Sequence, residues 1–468
     1  MYRPRIVVAA LRGGSGKTIL SVGIIAALRK LGKKISSFKK GPDYIDAGWL
    51  ALAAGQPCYN LDTYLIPEDR VLDSFLNHSE SGDLALIEGS RGLFDGTDLD
   101  GTTSTAELAK LLQAPVLLCL DCTKSTRTMA AVLLGCKLFD PRVEIKGVIL
   151  NRIAGSRHEA ILRKSIDHYT GIPILGAVPK LGREILPERH MGLVPTPEHR
   201  LAVHAVEEIS EIAEKYLDID AIADTACGAE DLKTSGPSAE SPGRIESGEK
   251  ATSAASPRIG IVRDSAFQFY YPENIQALEA AGGRPILISP LEENRDMPEV
   301  DALYIGGGFP ETHAGQLAEN HRFREALRKL SREGLPIYAE CGGLMYLAQE
   351  LTLEQGRFPM AGVLPIVLGF SKRPQGLGYT RVCVEIENPY FPVGFEFKGH
   401  EFHYSKTIEW RGSEKDLIFR MKRGAGVWNG RDGILYKNVL ATYTHLHSLG
   451  VPEWAEAMVR NAEAFRRR

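Results

Sequence analysis

Cysteine is scarce in this chain, and long apolar runs are missing. Seven cysteines among 468 residues are too few for a disulfide framework and suit a reducing compartment. No apolar run reaches the ~18–20 residues of a membrane span. No signal-peptide pattern stands ahead of the first strand, Arg5-Ile6-Val7-Val8-Ala9-Ala10-Leu11, so the expected location is the cytoplasm and no membrane partner is expected. Net charge of one sign is lacking too: a balance of −3 gives no reason to expect a nucleic-acid partner. Local basic clusters remain, Lys39-Lys40 in one place and Lys180, Arg183, Arg189 and His190 in another. Each reads as solvated surface or as an anion contact. The single C-x-x-C, Cys119 and Cys122, lies within the apolar run Val116-Leu117-Leu118-Cys119-Leu120-Asp121-Cys122. With no second pair to complete a zinc set, it reads as a strand.

A chain of 468 residues exceeds one hydrophobic core, so two or three domains are expected. Residues 1–225 alternate apolar runs with helical patterns, with strands expected at 5–11, 34–38, 84–88, 115–121, 146–151 and 174–178. Apolar residues at 19, 20, 24, 25, 28 and 31 have the spacing of one buried helix face between the first two strands. Repeated strand–helix–strand units imply an α/β fold, a mostly parallel sheet covered on both sides. Residues 226–256 are rich in Ala, Ser, Gly, Glu and Lys; they bury too little to offset ordering entropy and read as a linker. A second α/β pattern spans 257–468. It has strands at 258–262, 284–288, 301–305 and 336–340, helices near 273–282 and 320–333, then strands with loops, and a helix at 452–467.

The first half carries Gly13-Gly14-Ser15-Gly16-Lys17-Thr18 between a strand and a helix. Glycines let successive backbone N–H groups wrap phosphates, Lys17 would reach the β and γ phosphates, and Thr18 would hold magnesium. Leu11 stands where the usual loop has its first glycine, and Arg12 takes the leading position of the deviant lysine-led form. ATP and Mg2+ are therefore the expected cofactors. Further magnesium ligands are expected at strand ends: Asp43, with Asp46 nearby, after the second strand, and Glu88 after the third. Asp95 follows in Gly92-Leu93-Phe94-Asp95-Gly96; it and Asp98 read equally as loop caps. Asn151 ends another strand and could read an adenine edge.

The second half carries Pro336-Ile337-Tyr338-Ala339-Glu340-Cys341-Gly342-Gly343, a buried strand running into a sharp turn with a thiol at its tip. A helix N-terminus there would favour thiolate. Gly306-Gly307-Gly308 follows another strand. Gly307, Gly308 and Gly342 are the expected oxyanion-hole donors. A base is also required. Ala441-Thr442-Tyr443-Thr444-His445-Leu446-His447 reads as a strand with both histidines on one face, and either could serve. His400 and His403 compete, although each reads better as a structural polar group.

Taken in order, these runs resemble the cobyrinic acid a,c-diamide synthase family over nearly the whole chain. The resemblance is carried by Ser15-Gly16-Lys17-Thr18, Lys40-Gly41-Pro42-Asp43-Tyr44-Ile45-Asp46, Glu88-Gly89, Gly92–Gly96 and Leu186-Pro187-Glu188-Arg189-His190-Met191-Gly192-Leu193. In the second half it is carried by Gly306–Glu311, Tyr338–Tyr346 and Gly399–Tyr404. It implies a dethiobiotin-synthetase-like P-loop domain followed by a class I glutamine amidotransferase domain. It implies Cys341 as nucleophile and His445 as the residue that raises its reactivity. Most class I amidotransferases place a carboxylate two positions after that histidine; His447 stands there, so no full Cys-His-Glu triad is expected at this place. The implied reaction is ATP- and glutamine-dependent amidation of the a and c acetates of cobyrinic acid through an acyl phosphate. Asp46 and Asp95 would organise the acyl phosphate, and Lys39, Lys40, Arg183 and Arg189 would meet the macrocycle's carboxylates. Cobyrinic acid and L-glutamine are the expected partners, and a homodimer is left open. Nickel-sirohydrochlorin and hydrogenobyrinic acid are alternative substrates that the same motifs would serve. A partitioning-type P-loop ATPase is a different class, and it would turn over ATP without glutamine.

Overall fold

The computed structural model describes residues 2–182, 186, 188–189, 192–199, 201–232, 256–292 and 296–468, the side chains of Glu188 and Arg189 excepted. The chain divides into two units, Met1–Pro242 and Gly243–Arg468.

In the first unit, seven strands form one parallel sheet: β1 (Arg5–Ala10), β2 (Ile35–Lys40), β3 (Cys58–Leu61), β4 (Leu84–Glu88), β5 (Val116–Asp121), β6 (Ile145–Ile153) and β7 (Ile174–Pro179), in the order β3-β2-β4-β1-β5-β6-β7. The six expected strands are present. The edge strand β3 was not foreseen, because Cys-Tyr-Asn-Leu is too short and mixed to show a period. Helices α1 (Lys17–Lys30), α2 (Tyr44–Ala54), α3 (Glu68–Ser79), α4 (Thr105–Leu111), α5 (Arg127–Phe139), α6 (Ser156–Thr170), α7 (Ala202–Tyr216) and α8 (Ile219–Cys227) accompany it, with the two-residue strands β8 (Glu188–Arg189) and β9 (Gly192–Leu193). Helix α1 departs from the one-face reading. Every residue from Leu20 to Leu28 is buried, whereas Leu31 lies past the helix and is 62% exposed. The reason is α7, which packs close enough that a Cβ on Gly23 would lie 2.9 Å from that of Ala213.

The expected linker start at 226 falls inside packed structure: Ala226, Ala229 and Leu232 are buried. Buried Arg5 helps hold this segment, donating to the carbonyls of Leu112 (2.5 Å), Gln113 (2.9 Å) and Glu230 (2.7 Å). Residues 233–255 of the expected linker lie outside the described residues.

The second unit has a nine-stranded mixed sheet. Its parallel half comprises β10 (Arg258–Val262), β12 (Arg284–Ile288), β13 (Ala302–Ile305), β15 (Ile337–Glu340) and β24 (Val439–Thr442). Strands β19 (Gly376–Val384), β20 (Glu396–His403), β22 (Leu417–Arg423) and β23 (Arg431–Tyr436) extend it antiparallel, in the order β12-β10-β13-β15-β24-β23-β22-β19-β20. A two-stranded antiparallel ribbon pairs β11 (Phe267–Phe269) with β14 (Gly307–Gly308), and a four-stranded sheet joins β16 (Glu350–Leu353), β17 (Gly356–Pro359), β18 (Ile366–Phe370) and β21 (Ser405–Trp410). Alternation along β13 sends Leu303 and Ile305 to one core and Ala302 and Tyr304 to the other. The first core packs α10 (Ala314–Glu319), α11 (His321–Glu333) and α12 (Gly342–Leu347). The second packs α9 (Pro272–Ala280) and α13 (Glu453–Arg466) through Leu278, Trp454 and Met458.

Arg5→Leu keeps an apolar stem but leaves four carbonyls, those of Arg3, Leu112, Gln113 and Glu230, without this donor. A loss of about 2–4 kcal/mol is expected, read as a lower urea midpoint for the first unit. A midpoint equal to wild type would show that those carbonyls find other partners.

Candidate active sites

The phosphate loop leaves β1 and enters α1 with Gly14 at φ 69° and Gly16 at φ 91°, left-handed positions that a side chain would strain. Lys17 is 7% exposed, and its Nζ donates to the carbonyls of Arg12 (3.2 Å) and Arg91 (2.7 Å). Burial and neighbouring Lys39 both lower its pKa. Thr18 donates to Glu88 Oε1 at 3.0 Å. A cleft of about 980 Å³ opens over the loop, lined by Lys17, Thr18, Lys39, Asp46, Glu88 and Arg91 among others.

Register builds the charged floor of this cleft. Pairing of β2 with β4 sets Lys39 opposite Glu88, and α2 brings Asp46 over them. Lys39 Nζ bridges Asp46 Oδ2 at 2.6 Å and Glu88 Oε1 at 2.7 Å. Lys39 is 2% exposed and Lys40 6%, so neither forms the surface expected to meet a macrocycle. Burial opposes the charge on Lys39, but the flanking carboxylates prevail and its pKa rises. Asp46 is held below its ordinary value because Lys39 outweighs burial. Glu88 is pushed up by burial, only partly offset by Lys39.

The acidic residues expected here separate into different roles. Asp43 caps α2, accepting from Ile45 N (2.8 Å) and Asp46 N (3.0 Å) through Oδ1. Asp46 is the one that shares Lys39 with Glu88, while Asp43 lines the same cleft. Asp95 is exposed and accepts from Gly92 N at 2.9 Å, which is the loop-capping alternative. Asn151 donates to Ser15 O at 2.8 Å and accepts from Arg152 N at 2.9 Å. Its amide thus helps hold the loop's shape, and the residue also lines the cleft. Arg189 lies in β8 with its side chain outside the described residues, as is Arg183. Sequence reasoning missed Arg91 and gave Arg152 no role; Arg152 pairs with Asp121 at 2.7 Å and donates to Gly14 O at 2.9 Å.

Oxygen donors fit magnesium here. Thr18 Oγ1, Asp46 and Glu88 are hard ligands, and Glu88 Oε2 is buried with no hydrogen-bond partner among the described residues. No group of three or more His, Cys, Asp or Glu forms a protein-only metal cage among the described residues.

In the second unit, Cys341 stands where β15 meets α12, at φ 46°, a backbone strain of about 1–3 kcal/mol for a side-chain-bearing residue. Its N–H donates to Thr442 O at 2.8 Å. The expectation of a helix-stabilised thiolate is not met: burial, then Glu311, pushes the thiol up. A base is therefore needed. Gly307–Gly308 passes beside this turn, so that a Cβ on Gly342 would lie 2.9 Å from Gly308 N, and one on Gly307 2.5 Å from His445 Cε1. The three glycines, Cys341 and His445 thus converge.

His445 and His447 lie past β24 rather than on a strand. His445 exchanges backbone bonds with His400 (3.0 and 2.8 Å), and their rings stack at 4.9 Å. Burial, then His445 and His447, holds His400 neutral, well below its ordinary pKa. His403 stacks on Tyr443 at 3.6 Å and hydrogen-bonds Ser405 O at 2.8 Å, a packing role. Cys119 and Cys122 are buried free thiols, consistent with the strand reading.

Comparison with known proteins follows the same division. Residues 6–193 match the family described as CobQ/CobB/MinD/ParA nucleotide binding domain. Residues 258–452 match the CobB/CobQ-like glutamine amidotransferase domain. The chain is 43% identical to a cobyrinate a,c-diamide synthase of Magnetococcus marinus, over 98% of this chain and 97% of that protein. It is 38% identical to those of Methanosarcina acetivorans (99% and 96%) and Methanosarcina barkeri (99% and 97%). No helix among the described residues is long and apolar enough to cross a membrane.

Lys39→Met would leave two buried carboxylates without their cation, destabilising the first unit by about 3–5 kcal/mol at pH 7. The abandoned carboxylates would then have folded pKa values above the unfolded ones. The folded variant binds more protons than the unfolded chain, so its deficit against wild type shrinks as pH falls from 7 toward 5. Thermal melts across that range check this; a pH-independent deficit would count against the bridge.

Proposed function

The chain belongs to the cobyrinate a,c-diamide synthase family, and we propose that it is a ligase that amidates the a and c acetates of cobyrinic acid with ATP and glutamine. The observation that carries this reading is the pairing of two chemistries in one chain. One unit has a phosphate loop facing Glu88, Asp46 and Lys39, and the other has a buried thiol at a glycine-lined turn.

In the second unit, Cys341 attacks the γ-carboxamide carbon of glutamine while His445 takes the thiol proton. The oxyanion is met by N–H groups from Gly307, Gly308 and Gly342. His445 returns the proton to the departing nitrogen, ammonia leaves, and water releases glutamate from the thioester. In the first unit, backbone N–H groups from Gly13 to Thr18 and the Lys17 ammonium hold the ATP phosphates. An acetate oxygen attacks the γ-phosphorus, ADP leaves, and ammonia displaces phosphate from the acyl phosphate. Activation is needed because a carboxylate is a poor electrophile. Thr18, Asp46 and Glu88 would hold Mg2+, which supplies charge neutralisation at the phosphates when bound. Lys39 offsets the negative charge of Asp46 and Glu88 and keeps both carboxylates in place. Arg91, exposed at the cleft, takes over the anion-contacting role first given to Lys39 and Lys40.

Cys341→Ala is expected to abolish glutamine-dependent amidation and retain amidation driven by ammonium salt. Equal loss of both would sink the division of labour. Lys17→Ala should retain glutamine hydrolysis while lowering diamide formation by on the order of 10²-fold or more. Mass spectrometry of products from cobyrinic acid, hydrogenobyrinic acid and nickel-sirohydrochlorin, each supplied alone, tests the substrate. Diamide from a competitor at a kcat/KM above that for cobyrinic acid would reassign it.

A further inference from the structure

We propose that Glu340 is the carboxylate that orients His445, so that the residue before the nucleophile supplies the third member of the thiol centre. This rests on the reading of Cys341 and His445 as the glutamine-hydrolysing pair.

Glu340 ends β15 and is fully buried. Period-two alternation turns it to the same face as Tyr338, away from the core that holds Cys341. Its Oε2 lies 3.4 Å from His445 Nδ1 and accepts from Tyr304 OH at 3.1 Å; its Oε1 accepts from Leu446 N at 3.1 Å. The Leu446 bond ties the carboxylate to the residue next to the histidine. Asn274 braces the same point by donating to Tyr304 OH (3.3 Å) and Leu446 O (3.1 Å). Burial, then Glu340 itself, keeps Tyr304 protonated and a donor. The other end of the imidazole faces the glycine turn, with Nε2 3.3 Å from a Cβ built on Gly307.

Two neighbouring carboxylates, Glu273 and Asp432, face other partners. Glu273 lies 3.7 Å from His447 Nε2, so the histidine in the usual carboxylate position faces its own acid. Asp432 accepts from Thr442 Oγ1 (2.7 Å), Tyr443 N (3.0 Å) and Thr444 N (3.1 Å). Glu340 Oε2 is the carboxylate oxygen that faces His445 Nδ1 among these three acids. A carboxylate there favours the tautomer with the proton on Nδ1 and the lone pair on Nε2, the atom that takes the thiol proton. At 3.4 Å the contact is longer than a tight hydrogen bond, as such contacts are before substrate binds. Glu340 touches neither thiol nor glutamine in this scheme; it is a positioning residue.

Glu340→Gln is the test, because glutamine keeps the shape and can still accept from Leu446 N. Its amide can also donate to Nδ1, which favours the tautomer with Nε2 protonated. We expect glutamine-hydrolysis kcat to fall on the order of 10²–10⁴-fold with KM for glutamine within ~3-fold of wild type. The alkylation rate of Cys341 by 6-diazo-5-oxonorleucine should fall in parallel, while ATP-dependent amidation with ammonium salt persists. Glu340→Asp, which keeps the charge but retracts it, should recover ~10-fold or more of the lost rate. Three outcomes overturn the proposal: a Glu340→Gln rate within ~3-fold of wild type, ammonium-driven and glutamine-driven activity lost together, or the same kcat loss in Glu273→Gln alone. Cys341→Ala is measured alongside. If it abolishes glutamine use and Glu340→Gln does not, the thiol reading stands and the role of Glu340 falls. If Cys341→Ala still hydrolyses glutamine, both fall.

Discussion

Parallel pairing constrains both halves of this chain in the same way. Parallel strands all stop at the same edge, so the side chains and loops that follow them gather along one crest. In the first unit the crest holds the glycine loop after β1, Lys39 near the end of β2, Glu88 ending β4 and Asn151 in β6. In the second it holds Gly306–Gly308 after β13, Cys341 after β15 and His445 after β24. These groups are dozens of residues apart in sequence, and the shared sheet edge brings them together.

Burial then decides what each crest can do. Both sites place charge where water is excluded, and each uses ionic contacts to hold it. Lys39 is buried with two carboxylates on it. The pair geometry is costly to form and more costly to break, so it fixes Asp46 and Glu88, the latter in contact with Thr18. At the thiol site burial works the other way. It raises the Cys341 pKa and lowers that of His400, so burial favours the neutral form of both. In the proposed reaction, reactivity comes from a base placed by its neighbours.

The sequence made the chemistry-bearing loops legible and left their partners obscure. Gly13–Thr18 and Glu340–Gly343 stand out because glycine and nucleophile types have few reasons to cluster between a strand and a helix. The division of labour among acids was hidden. Asp43 and Asp46 are three apart, and only the start of α2 decides that the first caps the helix and the second faces Glu88. Lys39-Lys40 read as a surface patch because a charged pair at a strand end normally is one. That Lys39 and Glu88 share a register depends on β2 pairing β4, a neighbour relation absent from either segment alone. Likewise the near-continuous burial of α1 follows from α7, almost two hundred residues later.

The missing carboxylate after His445 shows the same limit in reverse. A triad is defined by positions around an imidazole, not by spacing along the chain. His447 occupies the usual place, and its ring packs 4.5 Å from Tyr271 with Glu273 behind it. A second carboxylate there would stand beside Glu273, and like charges in a dry site raise one another's pKa values. A histidine at that point relieves the repulsion. Substituting His447 by glutamate would therefore not complete a triad; it would add an unpaired buried charge and lower stability, the sign of a site already supplied with its acid from β15.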